Sequence, residues 1–401
     1  ISEASDFTDP VYDLDSMGTK EQAMSSLVEA GSIDNEEGVA KIKILFLKAP
    51  KASLESLGTL AESTTIYQRR LAKIFARLGQ PENAYFLGYS RGLNVGLELL
   101  STTDRKAYPW IDGFKGLIGL GGVTNGSAVA DMALDETMVT GKILSRIVKL
   151  SAELHIPSDE LNPQAVTALA LRNSQLWATA LLDIGNYVLG SKNPEGLDLE
   201  NIQSEGINIG FLVHTFKQIA LDKFQLDRPI TEYAQNTQRF KIFVQEALEG
   251  IGTLSTIECL AWIKNHELPE RLHYYAITTT MPNPSSHADG ISFLTGNTLA
   301  YDPTSLDYRS LRQSYYNYLE VSGMKVNDSQ ISLDRSPFWP ELHQLANPKQ
   351  KPFHSTLLTV LGTDHWGMAF PVAIEMTSGK VNPFPRSILI ETLGDYLGSQ
   401  D

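Results

Sequence analysis

Ala84-Tyr85-Phe86-Leu87-Gly88-Tyr89-Ser90-Arg91-Gly92-Leu93-Asn94-Val95-Gly96-Leu97 is the stretch that decides how this chain folds. Ala84 to Gly88 reads as a short buried strand, and Gly92 to Leu100 reads as a helix. Between them, Gly88-Tyr89-Ser90-Arg91-Gly92 has the G-x-S-x-G pattern, which as a bare pentapeptide is common and weak. Its place between a strand and a helix gives it meaning. A serine on so tight a turn is held in a strained backbone that lifts its hydroxyl clear of the sheet. Glycines two residues to either side are expected to keep side chains from colliding there. The start of the helix offers N–H groups and a partial positive charge to a developing anion. Ser90 is therefore the candidate nucleophile, and the backbone N–H of Arg91 the expected first oxyanion donor.

Outward from this turn the punctuation repeats. Residues 20–31 read as a helix ending at Gly31, and Ile42 to Leu47, stopped by Pro50, as a buried strand. Thr65 to Leu78 is a helix closed by Gly79, with Leu71, Ile74, Phe75 and Leu78 at helical spacing. Phe114 to Leu120 is a third strand. Strand, helix, strand, helix, strand in this order predicts a parallel sheet covered on both faces. From about Thr124 to Pro269 the patterns are almost only helical, at 131–153, 163–190, 207–225, 231–249 and 254–266. Strand character returns at Tyr274 to Thr280 and Thr356 to Leu361, and Arg386 to Leu397 forms a last helix. The predicted fold class is α/β: one mostly parallel sheet flanked by helices, formed by 1–123 and 256–401 and interrupted by a large helical insertion at 124–255. Two readings stay open for the insertion, a lid over the site or structural packing, the second being the plainer.

The chain has 401 residues, 42% hydrophobic and 20% charged, which is ordinary for a folded globular protein. A formal charge of −14, without a Lys/Arg stripe, argues against nucleic acid or an anionic bilayer as partner. Cys259 is the single cysteine, so an intramolecular disulfide is impossible. No window has the roughly 18 to 20 apolar residues of a membrane span. No signal peptide is visible, although the sequence begins at Ile1. Neither H-E-x-x-H nor a phosphate-binding G-x-x-x-x-G-K-[ST] is present, so no metal and no cofactor is expected. Gly116, Gly119, Gly121 and Gly122 end the third strand, but Thr124 stands where a dinucleotide motif needs glycine. Those glycines are expected to let the top of the sheet pack against the Ser90 turn. Asn125-Gly126-Ser127 and Asn327-Asp328-Ser329 match the glycosylation sequon and read as chance occurrences.

A serine hydroxyl is a poor nucleophile until an imidazole can take its proton and a carboxylate fixes that imidazole's tautomer. Of eight histidines, His365 lies in Leu361-Gly362-Thr363-Asp364-His365-Trp366-Gly367, directly after the last strand. His354 is the alternative, but it precedes that strand and should lie at the wrong end of the sheet. His155, His214, His266, His273, His287 and His343 have no comparable context.

Tyr85 to Gly92 resembles the nucleophile elbow of the α/β-hydrolase family, especially its lipases and esterases. The resemblance implies the order serine, acid, histidine, with the acid after the next-to-last strand and the histidine after the last. The segment around His365 is similar to the family's histidine loop. Val326-Asn327-Asp328-Ser329-Gln330-Ile331-Ser332 is similar to the lipase-like acid loop, which makes Asp328 the expected acid, with Ser329 where glycine is frequent. Asp289 and Asp364 are its rivals. Leu260 to Pro269 followed by His273 to Ile277 resembles the helix, Leu-Pro turn and strand that precede such an acid loop. The similarity touches 84–122, 256–281, 325–337 and 356–371. The tyrosine-rich excursion between Met281 and Asn327 reads as surface loop and packing.

The second oxyanion donor stays unknown. The family often supplies it from His-Gly, which does not occur here. Depending on which early strand Ile42 to Leu47 is, the donor falls near Lys48 or Ala49, or near Asp6 to Asp13 or upstream of Ile1. The resemblance implies a carboxylic-ester hydrolase working through an acyl-enzyme, on lipid or acyl esters, without a cofactor. An acyltransferase using the same three residues, or a catalytically silent hydrolase fold serving as a binding protein, are the alternatives. The partners expected are a small-molecule or lipid ester, with any lipid-surface contact transient. The lone cysteine suits the cytoplasm, and the chain loosely resembles lipase-like proteins that bacterial pathogens inject into host cells.

Overall fold

A computed structural model describes residues 58–154, 163–190, 230–281, 322–365 and 386–399, together with 290–291, 298–299, 318–319 and 368. The expected helix at 20–31, the strand at Ile42 to Leu47, the helix at 207–225 and most of the tyrosine-rich excursion lie outside the described residues.

Helix α1 (Leu60–Leu78) begins before the predicted Thr65. Thr59 explains this: its hydroxyl accepts from the Glu62 N–H at 3.2 Å while the Glu62 carboxylate accepts from the Thr59 N–H at 3.3 Å, a capping box that satisfies two orphan donors. Strand β1 (Ala84–Tyr89) then runs into helix α2 (Arg91–Thr102), and a 3₁₀ turn at Pro109–Gly113 leads into β2 (Phe114–Leu120). Among the described residues five helices follow: α3 (Ala128–Leu134), α4 (Val139–Glu153), α5 (Pro163–Gly190), α6 (Ile230–Gly252) and α7 (Thr256–Asn265). Strand β3 (His273–Thr279) comes next, then two-residue strands β4 (Gly290–Ile291) and β5 (Thr298–Leu299), which pair with each other. Helix α8 (Pro340–Ala346), strand β6 (His354–Leu361) and helix α9 (Arg386–Gly398) are the last described elements.

The continuous helix expected at 131–153 is two helices. The Asp135 carboxylate accepts from the Thr137 N–H at 2.8 Å and from its hydroxyl at 2.7 Å, an Asx turn that competes with helical bonding. The turn is tight: a Cβ on Gly141 would lie 1.9 Å from the Asp135 carbonyl oxygen.

The main sheet has the order β1-β2-β3-β6, every pair parallel. Alternation along its strands explains why they read as unbroken apolar runs. Leu117, Tyr274 and Ala276 face Leu93, Leu97 and Leu100 of α2 and Leu71, Ile74 and Phe75 of α1. Ile118, Leu120, Tyr275, Ile277 and Leu361 face the other way, onto Leu393 of α9. Each buried leucine or isoleucine among them contributes about 1.5–3 kcal/mol relative to exposure, so the register is strongly specified. That register pairs Tyr89 with Leu120, Leu120 with Ile277 and Thr279 with Leu361. The carboxyl ends of all four strands therefore finish at one edge, where parallel sheets place their sites.

Helices α4, α5 and α6 share a separate apolar cluster of Ile143, Ile147, Leu150, Trp177, Ala180, Ile184, Phe240 and Val244. The chain leaves the sheet and returns to it side by side, with the Ser127 N–H donating to the Leu254 carbonyl at 2.8 Å. Among the described residues, no helix is long and apolar enough to cross a membrane.

Candidate active site

One residue makes the turn from β1 to α2. Ser90 has φ 50° and ψ −123°, outside the populated regions for an L-residue, a conformation that costs about 1–3 kcal/mol. Two bonds hold it there: the Ser90 N–H donates to the Leu120 carbonyl at 3.0 Å, and the Leu93 N–H donates to the Ser90 carbonyl at 3.1 Å. Gly88 is required, because a Cβ there would come within 2.5 Å of the Gly92 carbonyl carbon and the Leu93 nitrogen. Gly92 is not required on the same ground. A Cβ on it would meet nothing within 4 Å, which corrects the expectation that both glycines avoid collisions. The glycines ending β2 do let the turn pack on the sheet, since a Cβ on Gly119 or Gly122 would lie 2.9 or 2.0 Å from Leu93.

A parallel sheet covered on both faces, with a strained serine between a strand and a helix at its carboxyl edge, settles the architecture. This is an α/β-hydrolase-type fold. Strands β1 and β6 of such a sheet stand three spacings apart, about 14 Å. A histidine following β6 must therefore pass over the ends of β3 and β2 to approach Ser90. Gly121 leaves room for that crossing: it has φ 53°, and a Cβ on it would lie 3.4 Å from the His365 ring and 2.7 Å from Met368.

The crossing brings His365 Nε2 to 2.9 Å from Ser90 Oγ and His365 Nδ1 to 2.9 Å from Asp328 Oδ2. His365 and Asp328 are 4% and 0% exposed, so water does not compete for the bond between them. With a carboxylate at Nδ1, the neutral ring carries its proton there and leaves the Nε2 lone pair toward the hydroxyl. The Asp328 carboxylate is held at every acceptor position. Its Oδ1 accepts the N–H groups of Gln330 and Ile331 at 3.0 and 2.8 Å, and its Oδ2 accepts the Thr279 hydroxyl beside the imidazole. The acid loop is tied to both neighbours, with the Met281 N–H donating to the Asn327 carbonyl and the His365 N–H to the Asp328 carbonyl. Ser329 has φ 80°, the left-handed conformation that glycine adopts without steric cost.

The competing residues are placed elsewhere. His354 opens β6 and pairs with His273, at the opposite end of the strand from His365. His266 stacks on Trp262, His273 Nε2 lies 2.8 Å from the Thr356 hydroxyl, and His343 is buried against Phe353. Asp364 is buried near Tyr89, where its charge adds to burial and to the Asp328 charge in raising the Tyr89 hydroxyl well above the usual tyrosine range. His155, His214, His287 and Asp289 lie outside the described residues, as does every candidate for the second oxyanion donor. Both sequon asparagines are engaged inside the protein: Asn125 Nδ2 donates to the Pro337 carbonyl at 3.2 Å and Asn327 Nδ2 to the Met324 carbonyl at 2.9 Å.

Three contacts were not read from the sequence. The Tyr89 hydroxyl donates to the His365 carbonyl at 2.9 Å, with the two rings 5.1 Å apart. The Arg91 guanidinium is buried away from the serine, donating to the Thr253 hydroxyl at 3.1 Å and to the Gly58 carbonyl, and desolvation lowers its pKa to about 10. Thr279 is the third, and the run Thr278-Thr279-Thr280 at a strand end is the only local signal for it. Among the described residues no three His, Cys, Asp or Glu side chains are grouped so as to hold a metal ion. Cys259 is buried, its thiol pushed up to about 12 chiefly by desolvation.

No family model and no curated protein matches the chain. Solved structures do match it. A metagenomic carboxyl esterase shows a TM-score of 0.42 at 14% identity, over 86% of this chain and 63% of its own, so the chain spans under two thirds of that enzyme. A Staphylococcus hyicus lipase gives 0.38 at 15% identity over 87% of this chain and 84% of its own. A Bacillus licheniformis lipase in mature form gives 0.34 at 11% over 78% and 70%. These are likenesses of outline alone.

Proposed function

We propose that the protein is a serine hydrolase of carboxylic esters, with Ser90 as nucleophile, His365 as general base and acid, and Asp328 orienting His365. One observation carries this reading: an unbroken chain of bonds from a strained, raised hydroxyl through an imidazole to a buried, fully hydrogen-bonded carboxylate.

Ser90 Oγ attacks the ester carbonyl carbon while His365 Nε2 takes its proton. The carbonyl oxygen becomes an oxyanion at the start of α2, where the Arg91 N–H donates to it. As the tetrahedral species collapses, the C–O bond to the alcohol breaks and His365 returns the proton to the leaving oxygen. Water then repeats the sequence on the acyl-enzyme: His365 takes its proton, hydroxide adds to the acyl carbon, and Ser90 leaves with the proton from His365. Throughout, Asp328 stabilises the imidazolium without being protonated.

A lipid or acyl ester is the favoured substrate class, supported by the apolar helices between β2 and β3. Hydrolysis of p-nitrophenyl esters of graded chain length tests both the activity and the class. Wild type is expected to release p-nitrophenol and Ser90→Ala to do so at the uncatalysed rate; equal rates would overturn the assignment. A fluorophosphonate that labels wild type but not Ser90→Ala is the expected companion result. Adding alcohol acceptors to the same reaction reports whether the acyl group goes to water or to an alcohol.

A further inference from the structure

We infer that Thr279 is a positioning residue of this site, its hydroxyl holding the Asp328 carboxylate in the one rotation that presents Oδ2 to His365. The inference rests on the function proposed above and concerns a residue on β3, 49 positions from the acid it contacts.

A carboxylate bonded only through Oδ1 can still swing about its Cβ–Cγ axis. Asp328 Oδ1 is fixed by the Gln330 and Ile331 N–H groups, both from its own loop. These bonds set the carboxylate against its own loop, and the loop's ties to Met281 and His365 are made by backbone carbonyls, so none of them holds Oδ2. Thr279 supplies the missing reference. It is 1% exposed, it pairs with Leu361 at the end of β6, and its hydroxyl donates to the same oxygen that faces His365 Nδ1. Strand β6 leads directly into the segment bearing His365, so β3 and β6 fix donor and acceptor in one rigid frame.

The hydroxyl also takes one lone pair of Oδ2 and leaves the other for the imidazole. Without it, a buried acceptor site is left empty and the carboxylate can turn to satisfy it elsewhere, at the expense of the Nδ1 contact. The effect should fall on the chemical step and not on substrate binding, because Thr279 bonds the acid from β3, two strands from the β1 turn that carries Ser90.

The test compares Thr279→Val, which keeps the shape and removes the hydroxyl, with Thr279→Ser, which keeps the hydroxyl and removes the methyl. Each is measured in the full chain for ester hydrolysis, fluorophosphonate labelling rate and unfolding midpoint. The expected result is a 10- to 100-fold fall in kcat and in labelling rate for Thr279→Val, KM within two-fold of wild type, and at least half of both rates restored in Thr279→Ser. If Thr279→Val labels and turns over within two-fold of wild type, the inference is overturned. If both variants lose activity only in proportion to folded protein, Thr279 is structural and the inference is equally overturned. Failure of the function itself looks different: Ser90→Ala would then match wild type in activity and labelling, whatever happens at Thr279.

Discussion

Replacing Asp328 by asparagine removes a charge while keeping the shape, and the geometry says which way the amide must turn. The carboxylate accepts four bonds: two backbone N–H groups on Oδ1, and the Thr279 hydroxyl with His365 Nδ1 on Oδ2. An amide has one oxygen and one NH₂. If the NH₂ faced Gln330 and Ile331, donors would meet donors, and one part-buried and one buried N–H group, at 3.0 and 2.8 Å, would lose their acceptor. At about 1–3 kcal/mol for an unsatisfied buried group, and less for the part-buried one, that orientation costs at least about 1–3 kcal/mol. The other orientation puts the NH₂ toward Thr279 and His365. A threonine hydroxyl can turn to accept, and an imidazole can accept at Nδ1, so this orientation wins. Its consequence is that the imidazole proton moves to Nε2, facing Ser90, where it cannot take the serine proton. A correctly shaped site with the wrong tautomer loses about 10⁴ in kcat, or about 5.5 kcal/mol of transition-state stabilisation. The assay is p-nitrophenyl ester turnover by Asp328→Asn, with circular dichroism to establish that the protein is folded. Activity within ten-fold of wild type in a folded variant would refute the argument, because the carboxylate would then not be setting the tautomer.

The glycines of the turn should behave oppositely: Gly88→Ala is expected to lower the unfolding midpoint sharply, since its Cβ would meet backbone at 2.5 Å. Gly92→Ala has open space and a helical position, so its midpoint should stay or rise by the equivalent of about 1 kcal/mol; a loss as large as that of Gly88→Ala would contradict the placement of the turn. Ser329→Gly relieves a left-handed backbone and removes a buried hydroxyl without a partner, and should stabilise by about 1 kcal/mol in urea unfolding; clear destabilisation would show that the φ of 80° is not strained. Burial pushes His343 down to about 4, so the unfolded chain binds a proton that the folded one refuses between pH 6.5 and 4. Stability from this group is complete above pH 6.5 and is lost as pH falls through that window, by up to about 3 kcal/mol. His343→Gln should flatten that part of the stability curve, and an unchanged slope would count against the assignment.

Residues 84–102 are legible because the signals that shape the turn are close in sequence, although the bond from the Ser90 N–H to the Leu120 carbonyl and the pairing with β2 complete it. The apolar strand, the glycine that the backbone itself would strike and the helix that follows are all within reach of one another, so Ser90 was legible as a raised hydroxyl. His365 is legible as a loop residue directly after the last strand, whereas Asp328 is pointed to only by the resemblance of its loop, since Asp289 follows the preceding strand more closely in sequence. The break at Asp135 was missed because apolar spacing continues across it while a side-chain bond ends the helix. The earlier start of α1 was missed although Thr59 and Glu62 carry a capping signature.

What only the tertiary structure decided is the meeting of side chains 275 and 37 positions apart at hydrogen-bonding distance. It also decided the turn of the Asp328 carboxylate toward Thr279, the grip of Tyr89 on the His365 carbonyl and the retreat of the Arg91 guanidinium to Gly58 and Thr253. Periodicity reports which face of an element is apolar. It carries no information about angles between loops that leave different strands. Those angles follow from the register of β1, β2, β3 and β6, which exists only once the two faces of the sheet are buried together.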